Sequence, residues 1–157
     1  MKRSEINQIL AEGEAFIRSF GFALPPFANW SPEELRSKGA AAAGIIDARL
    51  GWDNTDHGQG DFANLGLFLF TVRNGSLADL QAGGGMCYAE KIMISRQDQI
   101  APMHRHIVKA EDIINRGGAK LALQMYGSDA EGKIDKESDY TVATDGLTRT
   151  FKAGDIL

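Results

Sequence analysis

The sequence has little of what marks secreted, membrane-spanning or nucleic-acid-binding proteins. Its 157 residues include one cysteine, Cys87, so no internal disulfide can form, which suits the reducing cytoplasm. No stretch reaches the roughly 18 consecutive apolar residues of a membrane span. The net charge is −4 with acids and bases interspersed, so the sequence predicts no basic surface for a phosphate backbone. We therefore expect a cytoplasmic protein that binds neither membranes nor nucleic acid.

The first third of the chain predicts helices. Apolar residues recur at helical spacing after Ser4, an expected N-cap, and Gly21 is placed to end that helix. A second helix is expected from Ser31, because the run Ser-Pro-Glu-Glu combines a capping serine, a first-turn proline and a glutamate that can reach back. This helix should falter near Gly39 and resume over residues 40–50.

After residues 51–54 the pattern changes to short strands separated by turn residues. Asp145-Gly146 between two β-rich arms, 140–144 and 147–151, predicts a hairpin, because that turn needs positive φ angles. Further strands are predicted at residues 65–72, 88–95, 99–106, 111–115 and 121–126, with a glycine loop at 83–85. The sequence thus predicts a mainly β fold with N-terminal helices, such as a sandwich, barrel or jelly roll.

Two of the three histidines, His104 and His106, are separated by one residue, and Glu111 and Gly118 follow. In an extended strand, residues two apart project to the same face, so the imidazoles would lie side by side and Glu111 could join them after a turn. Such a ligand set suits manganese, iron, cobalt, nickel or zinc better than calcium or magnesium. The pattern favours a metal site over a surface histidine pair. His57, in a polar loop, is not an expected ligand.

The spacing His104-x-His106-x4-Glu111-x6-Gly118 resembles the first sequence motif of the cupins, which are double-stranded β-helix (jelly-roll) barrels that hold a metal inside. One departure is Asp98, where that motif usually has glycine. Longer stretches, from the first residue to the last, resemble the bacterial D-lyxose isomerases. These stretches include Lys2-Arg-Ser-Glu-Ile-Asn, Phe22-Ala-Leu-Pro-Pro-Phe-Ala, Trp30-Ser-Pro-Glu-Glu, Gly66-Leu-Phe-Leu-Phe-Thr-Val-Arg-Asn-Gly, Tyr88-Ala-Glu-Lys91 and Pro102-Met-His-Arg-His.

This resemblance implies a metal-dependent aldose–ketose isomerase, typically with manganese, that forms a homodimer of cupin barrels. Its expected reactions interconvert D-lyxose with D-xylulose, and often D-mannose with D-fructose. The resemblance places His104, His106 and Glu111 among the metal ligands, and Lys91 among the residues that line the sugar pocket. We expect one domain over residues 1–157, in which a helical segment, 1–60, packs on a barrel formed by 61–157.

The expected chemistry moves hydrogen between two adjacent carbons of the sugar. A divalent metal that chelates both oxygens would stabilise the charge of the enediolate. The sequence identifies no general base. Glu90 and Asp112 each neighbour an inward-facing candidate, so both are expected to point away from the site.

The resemblance also implies that the barrel is incomplete at its C-terminal end. The family has a second motif, beyond a proline-glycine turn, that supplies a further histidine ligand. The stretch Phe151-Lys-Ala-Gly-Asp-Ile-Leu resembles the strand that leads to this turn, and Leu157 is its last residue. We therefore interpret the sequence as a fragment, and as such it could be inactive.

Two other functions fit the same ligands. Two histidines and a carboxylate also form the facial triad of non-haem iron oxygenases, some of which are cupins. A cupin could also bind a metal or a sugar without catalysis. Aromatic side chains could stack on a sugar, but we interpret four prominent ones as core: Trp30, Trp52, Phe68 and Phe70.

Overall fold

The structure is a computed structural model that describes residues 1–157, and it divides into two compact units, Met1–Val108 and Lys109–Leu157. In the first, the helices before the sheet end at Asp47 and the first strand begins at Gly51, so the helical segment expected over residues 1–60 is shorter. The single-domain organisation stays a prediction.

The first helix, α1 (Arg3–Ser19), is amphipathic and buries residues at a spacing of four: Ile9, Gly13 and Ile17. It begins before the expected Ser4 cap, because the Glu5 carboxylate accepts the backbone N–H of Lys2. Gly21 ends it as predicted. Its φ of 75° is left-handed, and its N–H donates to the Arg18 carbonyl.

The second helix, α2 (Pro32–Ser37), begins where the sequence predicted. The Ser31 hydroxyl accepts the Glu34 N–H, and the Glu34 carboxylate accepts the Ser31 N–H. The expected interruption at Gly39 is also present, since one 3₁₀ turn occupies Gly39–Ala42 before α3 (Ala43–Asp47). Another 3₁₀ turn, Pro26–Asn29, precedes α2.

A three-stranded antiparallel sheet follows, with strand order β1-β2-β3. Its strands are β1 (Gly51–Thr55), β2 (Leu67–Asn74) and β3 (Ala89–Ile94). The sequence predicted β2 and β3 to within two residues and missed β1. It also missed the short helix α4 (Leu77–Gln81), while the glycine loop at 83–85 is present as predicted.

One face of this sheet packs against α1. Phe68 and Phe70 are 3% and 0% exposed, and a Cβ at Gly13 would overlap the Phe68 ring, so glycine allows the helix to approach closely. Trp52 stacks on Phe68 with 5.2 Å between ring centroids, and its Nε1–H donates to the Ala28 carbonyl. These contacts confirm the interpretation of Trp52, Phe68 and Phe70 as core.

The second unit contains two separate two-stranded sheets. One pairs β4 (Gly127–Ser128) with β5 (Ile134–Asp135). The other is the predicted hairpin of β6 (Tyr140–Thr144) and β7 (Leu147–Phe151), and its turn residues Asp145 and Gly146 have φ angles of 51° and 78°. These angles match the turn type that the sequence predicted.

The strands predicted at residues 99–106, 111–115 and 121–126 were wrong. Only isolated bridges fall there, Leu65 with Ile100 and Gln124 with Ile156. A strand exists only when its backbone groups pair with a neighbour, and alternating polarity in the sequence does not guarantee that neighbour.

The fold is mixed, with N-terminal helices and antiparallel sheets. It is consistent with the predicted cupin-like β fold, although each sheet is open and no closed barrel is formed. None of the helices is both long and apolar enough to cross a membrane.

Candidate functional site

The two predicted histidine ligands lie together in the first unit. The His104 and His106 rings meet edge to face, with 5.0 Å between their centroids. Both belong to an irregular segment and not to the predicted strand. The strand predicted at residues 99–106 is therefore absent, yet the two imidazoles are adjacent as predicted.

A backbone hydrogen bond sets the tautomer of His104. Its Nδ1 lies 2.8 Å from the carbonyl oxygen of Pro102. A carbonyl oxygen can only accept, so Nδ1 carries the proton and the lone pair of the neutral ring lies on Nε2. A metal-binding histidine usually has this arrangement, in which one nitrogen is fixed by a backbone or carboxylate acceptor and the other faces the metal.

The third predicted ligand, Glu111, lies in the second unit, where its Oε1 is 2.6 Å from the Lys109 ammonium. Within neither unit do three histidine, cysteine, aspartate or glutamate side chains converge as a metal ion would require. The predicted ligands are divided between the units, so the three-residue set stays a prediction.

Lys91 lines a cleft of about 460 Å³ in the first unit. The cleft lies on the sheet face opposite α1, because Lys91 alternates with Ile92, whose neighbour across the sheet is the buried Phe70. Charged and polar side chains form most of its lining, which consists of Arg49, Leu50, Gly51, Trp52, Asp53, Thr71, Asn74 and Lys91.

Three polar residues of the cleft come from three different strands. Thr71, on the central strand, pairs with Lys91 on one side and with Gly51 on the other. Asp53 follows Gly51 by two residues and so projects to the same face. Sequence reasoning missed Asp53 and Thr71, because their approach depends on the register of β1 against β2, and residues 51–54 carry no strand signal of their own.

The other acids and the remaining histidine do not join this cleft. Glu90 makes an ion pair with Arg73, 3.3 Å from Nε, and points away from the Lys91 face as predicted. His57 is exposed in a turn. Asp112 is also exposed.

The fold, with N-terminal helices and antiparallel sheets, is consistent with a cupin-like protein, and its first unit contains an adjacent histidine pair and a polar cleft. The chain belongs to the D-lyxose isomerase family, whose model, described as D-lyxose isomerase, matches residues 1–157. The expectation of a sugar isomerase is thereby confirmed at the level of the family.

Two curated relatives resemble the chain at similar levels. A protein of Escherichia coli O157:H7 named D-lyxose/D-mannose isomerase is 44% identical over 155 residues. A Serratia proteamaculans protein with the same name is 43% identical over 155 residues. Each alignment covers 98% of this chain and 67% of the relative. The chain thus spans about two thirds of the length of these relatives.

Proposed function

We propose that the protein is a metal-dependent aldose–ketose isomerase that interconverts D-lyxose with D-xylulose, and D-mannose with D-fructose. The observation that carries the proposal is the His104–His106 pair, with its set tautomer, in a chain that is 44% identical to a D-lyxose/D-mannose isomerase. The cleft that contains Lys91 supports a small polar substrate.

The histidine pair fits a divalent cation. Zinc and similar ions bond imidazole nitrogen at about 2 Å, so two ligating rings must be neighbours, and the centroid separation of 5.0 Å meets this need. In our proposal, His104, His106 and Glu111 hold manganese, with zinc, cobalt, iron or nickel as alternatives. When bound, such an ion supplies Lewis acidity to the carbonyl and hydroxyl oxygens of the sugar.

The chain's own residues have distinct tasks in this proposal. The Pro102 carbonyl holds the His104 ring in one tautomer and orientation. Lys91, which lines the cleft, donates hydrogen bonds to sugar hydroxyls and balances negative charge that develops on the substrate oxygens. Its ammonium suits this task because three rotatable N–H donors can follow a moving charge.

Cellular location and assembly are also part of the proposal. The presence of a single cysteine supports a location in the reducing cytoplasm. The homodimer of cupin barrels rests on the family resemblance, and light scattering coupled to size-exclusion chromatography of the full-length protein measures it directly.

Incubation of the full-length protein with manganese and D-lyxose tests the activity, with D-xylulose measured by chromatography. We expect D-xylulose to form, and D-fructose to form from D-mannose. If none of the five metals supports either reaction, the proposal is wrong. Oxygen uptake with iron(II) and no sugar interconversion would instead identify an oxygenase.

A further inference from the structure

We propose that Asp53 and Thr71 bind hydroxyl groups of the sugar beside Lys91, and that Asp53 determines which hydroxyl pattern is accepted. This inference rests on the proposed function and deepens it. All three residues line the same cleft.

Thr71 forms the floor of the cleft. It is 6% exposed on the central strand of the sheet, a position that apolar residues usually occupy. Gly51 lies directly opposite it on β1, and a Cβ at Gly51 would meet nothing within 4 Å, so the space beside Thr71 is open. A largely buried threonine next to open space suits a ligand that hydrogen-bonds.

The pairing of β2 with β3 is irregular next to Thr71, as is common beside binding sites. The register between β2 and β3 shifts between Thr71 and Arg73, which marks a bulge. Bulges are frequent beside active sites, where they change the direction in which a side chain points. Here the bulge directly follows the residue that pairs with Lys91.

Asp53 and Lys91 stand on opposite sides of this floor. Their strands flank β2, and Asp53 pairs with Leu69 whereas Lys91 pairs with Thr71. Their backbones are therefore two strand spacings and two residues apart, roughly 12 Å in all. No ion pair joins them, and the side chain of neither makes a hydrogen bond within the chain. The gap therefore leaves room for one small molecule between an acceptor and a donor.

The chemistry of the three groups is complementary to a polyol. The Asp53 carboxylate can accept hydrogen bonds from hydroxyls, and the Lys91 ammonium can only donate. The Thr71 hydroxyl can do either. Asp53 is exposed in the free protein, and a sugar bound in the cleft would cover it, so an analogue that lacks the facing hydroxyl would leave the carboxylate unpaired. Asp53 would then determine which sugars are accepted by recognising one hydroxyl position.

Steady-state kinetics of Asp53→Asn and Thr71→Val in the full-length protein test the inference. Each change keeps the side-chain shape and removes a hydrogen-bonding capacity. We expect KM for D-lyxose to rise about tenfold or more, the effect of losing one hydrogen bond, while kcat changes by less than about threefold. Asp139→Asn and Thr141→Val make the same replacements at exposed positions outside the cleft and should leave KM unchanged.

Two further measurements separate binding from other effects. Thr71→Ser restores a hydroxyl at this buried position and should return KM toward the wild-type value, whereas a packing defect would persist. Among monodeoxy analogues of D-lyxose, the wild-type enzyme should discriminate against one, and Asp53→Asn should lose that discrimination. A fall in kcat with KM unchanged would overturn the inference and indicate proton transfer by Asp53; unchanged kinetics in both variants would also overturn it.

The proposed function and this inference can fail separately. If the wild-type protein does not isomerise D-lyxose, the proposed function fails. The inference is then decided by saturation-transfer NMR with D-lyxose. Binding that is weaker in Asp53→Asn than in Asp139→Asn supports it, and no binding, or equal binding, refutes it.

Discussion

The rings of His104 and His106 lie edge to face, 5.0 Å apart, although the backbone between them belongs to no strand. The position of the first ring is set locally, because the Pro102 carbonyl accepts its Nδ1–H. The second ring follows after one intervening residue. The first ring is therefore held by a backbone hydrogen bond within an irregular segment, and not by the regular alternation of a sheet.

Replacement of His104 by asparagine should remove bound metal. The variant lacks the imidazole Nε2, and loss of even an outer partner of a metal ligand lowers affinity by about 10–100-fold. Elemental analysis after loading with manganese and dialysis measures the metal retained. His57→Asn is the matched control, because asparagine tolerates the left-handed φ of 53° at that exposed turn. Equal metal in both variants would exclude His104 as a ligand.

Replacement of Lys91 by methionine should weaken substrate binding without harming the fold. Methionine keeps the length of the side chain and removes the charge, and Lys91 is exposed in the cleft without an ion pair. We expect KM for D-lyxose to rise about tenfold or more, since hydrogen bonds to charged groups contribute about 1.5–3 kcal/mol. The free energy of unfolding should stay within about 0.5 kcal/mol of the wild-type value.

Lys136→Met provides the comparison for Lys91, because Lys136 is exposed and lies outside the cleft. Its KM should match that of the wild-type enzyme. Were Lys91→Met to show the same kinetics as Lys136→Met, the assignment of Lys91 to the sugar pocket would be wrong.

Features with strong local signals were predictable from the sequence. The side chains of Ser31 and Glu34 each accept the backbone N–H of the other residue within one helical turn. Asp145 and Gly146 adopt the positive φ angles that define their hairpin turn. Neither needs information from distant parts of the chain. The adjacent histidines were predictable for the same reason, since one residue separates them.

Features that depend on pairing between distant segments were not predictable. Residues 51–54, Gly-Trp-Asp-Asn, include types that are poor strand formers, and they become β1 only by pairing with Phe68–Thr71. The cleft could not be predicted from the sequence for the same reason, because the approach of Asp53 to Thr71 follows from that register. Lys91 was assigned to a sugar pocket by resemblance alone, and its surroundings in the cleft emerged only from the fold.

Alanine at Gly13 should destabilise the protein, even though alanine is the better helix former. The propensity gain is about 1 kcal/mol. A Cβ at this position would overlap the Phe68 ring and crowd Ile94, and overpacking of a core costs about 1–3 kcal/mol. The clash should outweigh the gain, and the net loss of up to about 2 kcal/mol should lower the denaturant midpoint.

Gly44 provides the opposite case in the same unit. It lies within α3, and a Cβ added there would meet nothing within 4 Å, so Gly44→Ala should stabilise by up to about 1 kcal/mol. Urea denaturation of both variants measures the difference. If Gly13→Ala proved as stable as Gly44→Ala, the close approach of α1 to the sheet would be refuted.

The Asp56 carboxyl should contribute to acid sensitivity. Its pKa is lowered from an ordinary value of 3.8, chiefly because the carboxylate accepts the Gly58 N–H, with further contributions from the N-terminal charge and the Gly60 N–H. A carboxyl whose pKa is lower in the folded than in the unfolded state stabilises the fold fully above the unfolded value. That stabilisation is lost as the pH falls from the unfolded pKa through the folded one.

We therefore expect the free energy of unfolding of the wild-type protein to fall more steeply below about pH 4 than that of Asp56→Asn, since the amide does not titrate there. At neutral pH the variant should be the less stable of the two. Urea denaturation across the acid range measures both slopes. Asp139→Asn, a change at an exposed aspartate, should follow the wild-type curve. Parallel curves for all three proteins would contradict the lowered pKa, because a carboxyl with equal pKa in both states leaves no pH dependence to remove.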